Sequence, residues 1–285
     1  MQYSSSSTLL VAFAATSVFA HGVIDSCIGA NKVVMPGLSV IDGTPRDCTT
    51  PRCGSEADTS VIRANEMGTS KATALGRNAK GPVNAATMIA LFMGGGGNAT
   101  DVIAAREIHK LNIARRSLGK RAANGGTKTP KGTKETGVKA ATGAGASAGL
   151  PTTSDDGQVT MSFHQVNQDG AGGLTAMVDA TSGGTDPKAF KMAAVTTNVP
   201  GIGIGGLSAA STMDFPVVMA MPPGMTCSGS VGGAQNVCVA KLQNKAAAGP
   251  FGGSVAFTQS AAAKKRAIEY NLSKRRFARA LIKRH

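Results

Sequence analysis

The stretch that decides the fold runs from Gln158 to Gly173 and reads QVTMSFHQVNQDGAGG. Its first seven residues alternate in polarity, with apolar side chains at Val159, Met161 and Phe163. A period of two is typical of a strand that is buried on one face only. His164 therefore lies on the opposite face, and the Asn, Asp and Gly residues that follow it predict a turn. A histidine at the end of a rigid strand is well placed to bind a ligand, although many such histidines are plain surface residues.

Further strand patterns follow this one as far as residue 260, each bounded by Gly, Pro, Asn or Asp. The six segments are 158–166, 174–180, 190–198, 214–221, 235–243 and 252–259. Short strands at regular spacing predict a mainly β fold, here an immunoglobulin-like β-sandwich. Aromatic residues are scarce, with nine Phe, two Tyr and no Trp, so the core must be built from aliphatic, Met and Ala side chains.

Residues 21–260 are predicted to form one domain, which contains several parts besides these strands. Residues 21–47 should be extended and irregular, and Asn84 should cap a helix that reaches Met93. Residues 119–151 have almost no aliphatic bulk, which predicts a flexible basic insert because little apolar surface can be buried there. Residues 261–285 form a basic arm that is predicted to be helical.

Residues 1–20 have the features of a secretory signal peptide. An apolar run from Leu9 to Ala15 is followed by Val18-Phe19-Ala20, a small-residue pattern at which a signal peptidase would cut. Cleavage after Ala20 would make His21 the first residue of the mature protein. No later stretch has the roughly 18 consecutive apolar residues that a membrane-spanning helix needs. We therefore expect a secreted, soluble protein at the cell surface or outside the cell.

Five cysteines on an oxidising route predict disulfides with one thiol left over. Cys227 and Cys238 flank a hairpin-like loop, and Cys48 and Cys53 enclose four residues. We pair them in this way and leave Cys27 single, although the sequence alone does not exclude a pairing of Cys27 with another cysteine.

The formal charge of +14 is unevenly distributed. Residues 106–139 hold ten Lys or Arg against two Glu, and residues 261–285 hold nine against one. These two basic arms therefore carry +16 and the remainder of the chain −2. On a secreted protein such arms indicate an anionic surface, for example lipid headgroups or acidic wall polymers, and not a nucleic acid. Charge that only keeps the chain soluble explains the pattern equally well.

Other motifs give weaker signals. Asn98 and Asn271 begin N-glycosylation acceptor sequences. Asp155-Asp156 and Asp169 could supply paired carboxylates for glycoside hydrolysis, but carboxylates in Gly-rich loops are usually turn formers. Nucleophile-elbow, zinc-protease and Walker motifs are absent from the sequence.

Several short motifs together resemble one protein family. They are Phe163-His164-Gln165-Val166-Asn167, Asp169-Gly170-Ala171-Gly172, Thr197-Asn198-Val199-Pro200-Gly201, Asp214-Phe215-Pro216, Asn236-Val237-Cys238 and Gly249-Pro250-Phe251-Gly252-Gly253. In this order they are similar to the Egh-type virulence-factor family of fungi, which includes the Mas-type appressorial cell-surface proteins. The resemblance implies a secreted protein that is expressed when a pathogenic fungus penetrates its host. It implies no settled biochemical activity.

One constellation suggests chemistry. The amine and the ring nitrogen of an amino-terminal His21 can chelate one metal ion, and the imidazole of His164 would supply a third nitrogen. Nitrogen ligands with open positions suit copper. The arrangement looks like the histidine brace of lytic polysaccharide monooxygenases, and Phe251 could be its apolar axial neighbour.

Two hypotheses about function follow. In the first, the protein is a virulence-associated surface protein that binds wall or host-surface polysaccharide, with the basic arms adding affinity for anionic surfaces. In the second, it is a copper-dependent oxidase of polysaccharides that uses His21 and His164.

Overall fold

The computed structural model describes residues 21–94, 125–168, 172–201, 211–246 and 249–282. Antiparallel strands and a few helices make up this part of the chain. The strands are β1 Gly22–Ile28, β2 Val34–Pro36, β3 Ser60–Val61, β4 Arg77–Asn78, β5 Gly81–Pro82, β6 Thr127–Lys128, β7 Gln158–Gln165, β8 Thr175–Asp179, β9 Lys191–Thr197, β10 Met213–Ala220, β11 Gly229–Val231, β12 Ala234–Gln243 and β13 Phe251–Thr258. The α-helices are α1 Ala85–Phe92, α2 Gly137–Ala141, α3 Gly145–Ala148 and α4 Ala261–Ile282.

The mainly β prediction is confirmed, and all six predicted segments contain a strand. The strands pair antiparallel in one sheet with the order β2-β1-β7-β10-β9-β8-β12-β13-β3-β4-β5, while β11 pairs with β12 and β6 with β10. The two separate sheets of an immunoglobulin-like sandwich are not confirmed. Strand β9 hydrogen-bonds to both β8 and β10, so the sheet is continuous where a sandwich would be divided.

The sheet curls into a half-barrel because its two halves approach each other at β1 and β13. The backbone N–H of Leu38 donates to the carbonyl of Ser254 (2.8 Å) across this junction. Gly253 makes the close approach possible, since a Cβ atom there would lie 2.8 Å from the nitrogen of Ile24. The interior of the curl holds the main apolar core, including the predicted alternating set Val159, Met161 and Phe163.

A second apolar cluster covers the outer face of the sheet. The predicted helix is confirmed as α1, and the side chain of Asn84 accepts from the backbone N–H of Thr87 (3.2 Å) at its start. Ile89 and Phe92 of this helix pack in a cluster with sheet residues such as Val239. Burial on both faces explains why residues 237–242 of β12 are apolar apart from Lys241.

The prediction of a flexible insert over residues 119–151 is not confirmed, since residues 125–151 contain β6, α2 and α3. The segment is held by buried polar contacts. Glu135 accepts two hydrogen bonds from Arg46 (2.9 and 3.1 Å), which lies 89 positions earlier in the sequence. The expectation considered only apolar burial, whereas charge pairing orders this segment. Residues 119–124 lie outside the described residues.

The predicted disulfides Cys48–Cys53 and Cys227–Cys238 are both confirmed. Cys27 is a free, buried cysteine, as expected. Burial raises the pKa of its thiol to about 12, so the reactive thiolate is scarce at neutral pH.

The basic C-terminal segment is helical as predicted, and α4 spans 22 residues. Ala263 and Ala267 are buried against the domain, and the side-chain amide of Asn271 donates to the carbonyl of Gly224 (2.8 Å). In the described part of the chain, no helix has the length and apolar character required to cross a membrane.

Candidate metal site

His164 is held in one orientation by Asp214. The two residues are direct cross-strand partners in β7 and β10, and His164 Nδ1 lies 2.7 Å from Asp214 Oδ1. Because the carboxylate accepts a hydrogen bond, the pair favours the tautomer with the proton on Nδ1. The lone pair of Nε2 is then available.

The other ring nitrogen of His164 is the unusual atom in this region. The residue is fully buried, and its Nε2 has no hydrogen-bond partner among the residues that the structure describes. Buried polar atoms are nearly always paired, so each exception requires an explanation. A carboxylate on Nδ1 with an open Nε2 is the arrangement found around most metal-binding histidines.

His21 immediately precedes β1, the strand that pairs with the strand carrying His164. Val23 of β1 is opposite His164, and the backbone N–H of Val166 donates to the carbonyl of His21 (3.0 Å). His21 and His164 thus occupy diagonal positions of an antiparallel pair. Such positions are about 7 to 8 Å apart, a separation that long and aromatic side chains can bridge.

Three side chains surround His21. Its Nδ1 lies 3.1 Å from Glu56 Oε1, and its ring centroid is 4.4 Å from that of Phe251. Its backbone N–H donates to Asn167 Oδ1 (3.2 Å), and the Asn167 amide in turn donates to Glu56 (3.3 Å). Burial raises the pKa of Glu56 to about 7, so this carboxyl group is partly protonated near neutral pH.

The donor set fits a metal ion only through the mature amino terminus. Within the described ranges, no cluster of three or more His, Cys, Asp or Glu residues is arranged to hold a metal ion. The two imidazoles of His21 and His164 supply two nitrogen donors. Cleavage after Ala20 adds a third, because it converts the backbone nitrogen of His21 to a free amine. Imidazole and amine nitrogens suit Cu(II).

The structure brings His21 and Phe251 into contact and puts His164 on the strand next to His21. Their roles as metal ligands and as axial neighbour stay predictions. Asn271 lies on α4. The signal peptide, Asn98 and Asp169 lie outside the described residues.

Sequence reasoning missed the two carboxylates of the site, Asp214 and Glu56. A signal for Asp214 was available, since it is a charged residue near the start of a strand pattern. The register that places it opposite His164 is not encoded locally. Glu56 lies in an irregular segment, where no periodicity marks a residue as buried.

Comparison with known proteins assigns the family. The sequence profile described as "Egh16-like virulence factor" matches residues 19–252. The chain is 66% identical over 283 residues to the "Appressoria-specific virulence factor GAS2" of Pyricularia oryzae, covering 99% of this chain and 97% of that protein. It is 41% identical over 107 residues to the "Appressoria-specific virulence factor GAS1" of the same fungus, covering 38% of this chain and 41% of that one. No solved structure matches. The chain therefore belongs to the family of Egh16-like virulence factors.

Proposed function

We propose that this protein is a secreted virulence factor of host penetration that engages wall or host-surface polysaccharide and oxidises it with one copper ion held by His21 and His164. The virulence role and its setting in the appressorium are inferred from the names of two relatives, which are 66% and 41% identical to this chain over the aligned residues. Secretion is inferred from residues 1–20, the two disulfides and the lack of a membrane-crossing helix in the described chain.

The observation that carries the copper proposal is the open, buried Nε2 of His164. In a purely structural His–Asp pair, both ring nitrogens would be expected to find partners, because an unpaired buried polar atom costs about 1 to 3 kcal/mol. Here one nitrogen is fixed by Asp214, and the other is buried with no hydrogen-bond partner among the described residues. A bound metal ion would satisfy it.

Each neighbouring residue then has a role. His21 would contribute its amine and one ring nitrogen, and His164 its Nε2. Asp214 would hold the His164 ring in position, and Phe251 would cover one side of the site with an apolar surface that excludes water. Copper in such a ligand set supplies one-electron redox chemistry towards oxygen or peroxide.

The alternative function is binding of the polymer without oxidation. In both proposals the protein binds wall or host-surface polysaccharide. They differ in whether His21 and His164 hold copper. The relevant experiment therefore measures the metal first and the product second.

The test is isothermal titration of Cu(II) into protein whose first residue is His21. We expect tight one-to-one binding that is lost in His164→Ala and weakened when a glycine precedes His21. His109→Ala is the matched histidine control and should bind normally. The copper proposal fails if the processed protein binds no copper or if His164→Ala binds as well as the unmodified protein. Oxidised oligosaccharides, detected by mass spectrometry after incubation with wall material and a reductant, would separate oxidation from simple binding.

A further inference from the structure

Among the side chains that the structure describes, the contacts between helix α4 and the domain lie in the first half of the helix. Ser260 caps it by accepting from the backbone N–H of Ala263 (3.1 Å). Ala263 and Ala267 are buried, and Asn271 is fixed by its hydrogen bond to Gly224. From there to residue 277, every side chain is exposed. At about 1.5 Å per residue, the second half of α4 extends well over 10 Å beyond its last anchor.

The helix carries a high positive charge on exposed side chains. Its cationic residues are Lys264, Lys265, Arg266, Lys274, Arg275, Arg276 and Arg279, and all seven are exposed. Its one acidic residue is Glu269, which lies 3.9 Å from Lys265. The net charge of the helical segment is therefore +6, whereas the residues outside both basic segments, 106–139 and 261–285, carry −2 together. Like charges at this density repel one another, so they favour an anionic partner.

The distribution of these side chains around the helix excludes a helix that lies flat in a bilayer. Ile268 and Phe277 are 45% and 69% exposed. They are nine positions apart, about two and a half turns, so they point to opposite sides. Lys265, Arg266 and Lys274 also project in different directions around the axis. A membrane-surface helix requires one apolar face and one charged face, and the described side chains of α4 form neither.

We propose that α4 is a docking surface for a linear acidic polysaccharide with regularly spaced carboxylates, a polyuronate. A long, flexible polyanion can follow cations on several sides of a protruding rod, which a planar membrane cannot do. Four of the seven cations are arginines, whose guanidinium groups form paired hydrogen bonds to carboxylates. The choice of a polysaccharide rests on the proposed function, but the docking surface does not depend on copper.

The test uses full-length processed protein and polygalacturonate as the probe. Arg275, Arg276 and Arg279 are replaced together by Gln, which removes three charges beyond the last anchor of the helix. The matched control removes three exposed charges elsewhere through Lys71→Gln, Lys80→Gln and Lys188→Gln. We expect the Kd for polygalacturonate to rise about tenfold in the arginine variant, because three exposed ion pairs that each contribute little add up, and the effect should shrink as salt is added. In the control the Kd should rise less than twofold, since those three lysines lie outside the docking surface.

Three results would overturn the proposal. The first is an equal loss of affinity in both triple variants, because binding would then follow net charge alone. The second is unchanged affinity in the arginine variant. The third is tighter binding to phosphatidylserine-containing vesicles or to single-stranded DNA than to polygalacturonate, which would assign the helix another partner. Copper binding should be unchanged in the arginine variant, so failure of this proposal and failure of the copper proposal are distinguishable.

Discussion

Replacing Arg46 with methionine should strongly destabilise the fold. Arg46 is fully buried and is surrounded by three carboxylates. It donates to both oxygens of Asp58 (2.9 and 2.6 Å) and twice to Glu135, and it lies 3.3 Å from Asp25. These three acids belong to different parts of the chain, so one guanidinium holds the N-terminal region, β1 and residues 125–151 together.

The expected size of the effect follows from what the substitution leaves behind. Breaking a buried ion pair by removing one partner costs about 3 to 5 kcal/mol, because the remaining charge is buried without compensation. Here three carboxylates lose a shared partner and four hydrogen bonds disappear, so the loss should lie at or above the upper end of that range. A typical domain is stable by only about 5 to 15 kcal/mol. Arg46→Met is therefore expected to be marginally folded at best.

The assay is urea denaturation, with Glu135→Gln as a milder variant that is expected to lose about 1 to 3 kcal/mol. Arg63→Met is the matched control, because the Arg63 side chain is 41% exposed and pairs with Glu66 at the surface. It should change stability by less than about 1 kcal/mol. In Glu135→Gln, limited proteolysis should also cut first within residues 125–151. A loss in Arg46→Met no larger than that in Arg63→Met would refute the reasoning.

Three further predictions concern other positions. Burial lowers the pKa of Lys241 to about 8, against an opposing effect of Asp179, so the unfolded chain binds more protons between about pH 8 and 10.5. Stability should rise with pH across that window by about 3 kcal/mol, and thermal melts should show this rise missing in Lys241→Met. Asp214→Asn should weaken Cu(II) binding about 10- to 100-fold while leaving the fold intact, as titration and circular dichroism would show; unchanged affinity would remove Asp214 from the site. Gly253→Ala should destabilise the fold by about 1 to 3 kcal/mol because its Cβ would press on β1. The control is Gly173→Ala, where a Cβ would meet its nearest neighbour at an ordinary 3.6 Å. Equal melting temperatures for the two variants would contradict the prediction.

The strands were predictable because the alternation that defines them is local. Val159, Met161 and Phe163 mark one face of β7 without reference to any other part of the chain. The curl of the sheet was not predictable in the same way. It depends on the pairing of β9 with both β8 and β10 and on the close approach of Gly253 to β1. Neither feature can be predicted from the local sequence of one segment.

The difference between local patterns and long-range contacts also explains why the predicted flexible insert is not confirmed over residues 125–151. Their composition correctly indicates little apolar surface, but their order depends on the contact between Glu135 and Arg46 across 89 positions. For the same reason, only part of the candidate site could be predicted from the sequence. His21 and His164 could be named from a cleavage pattern and a strand end, whereas Asp214 and Glu56 required the register of the sheet and the path of an irregular loop.

The central claim is that His21 and His164 together hold one copper ion. It is tested most directly by the electron paramagnetic resonance spectrum of the one-to-one Cu(II) complex of the processed protein. We predict a type-2 copper spectrum with three nitrogen ligands in the processed protein, and no spectrum of protein-bound copper in His164→Ala. A spectrum that is identical in the processed protein and in His164→Ala would contradict it.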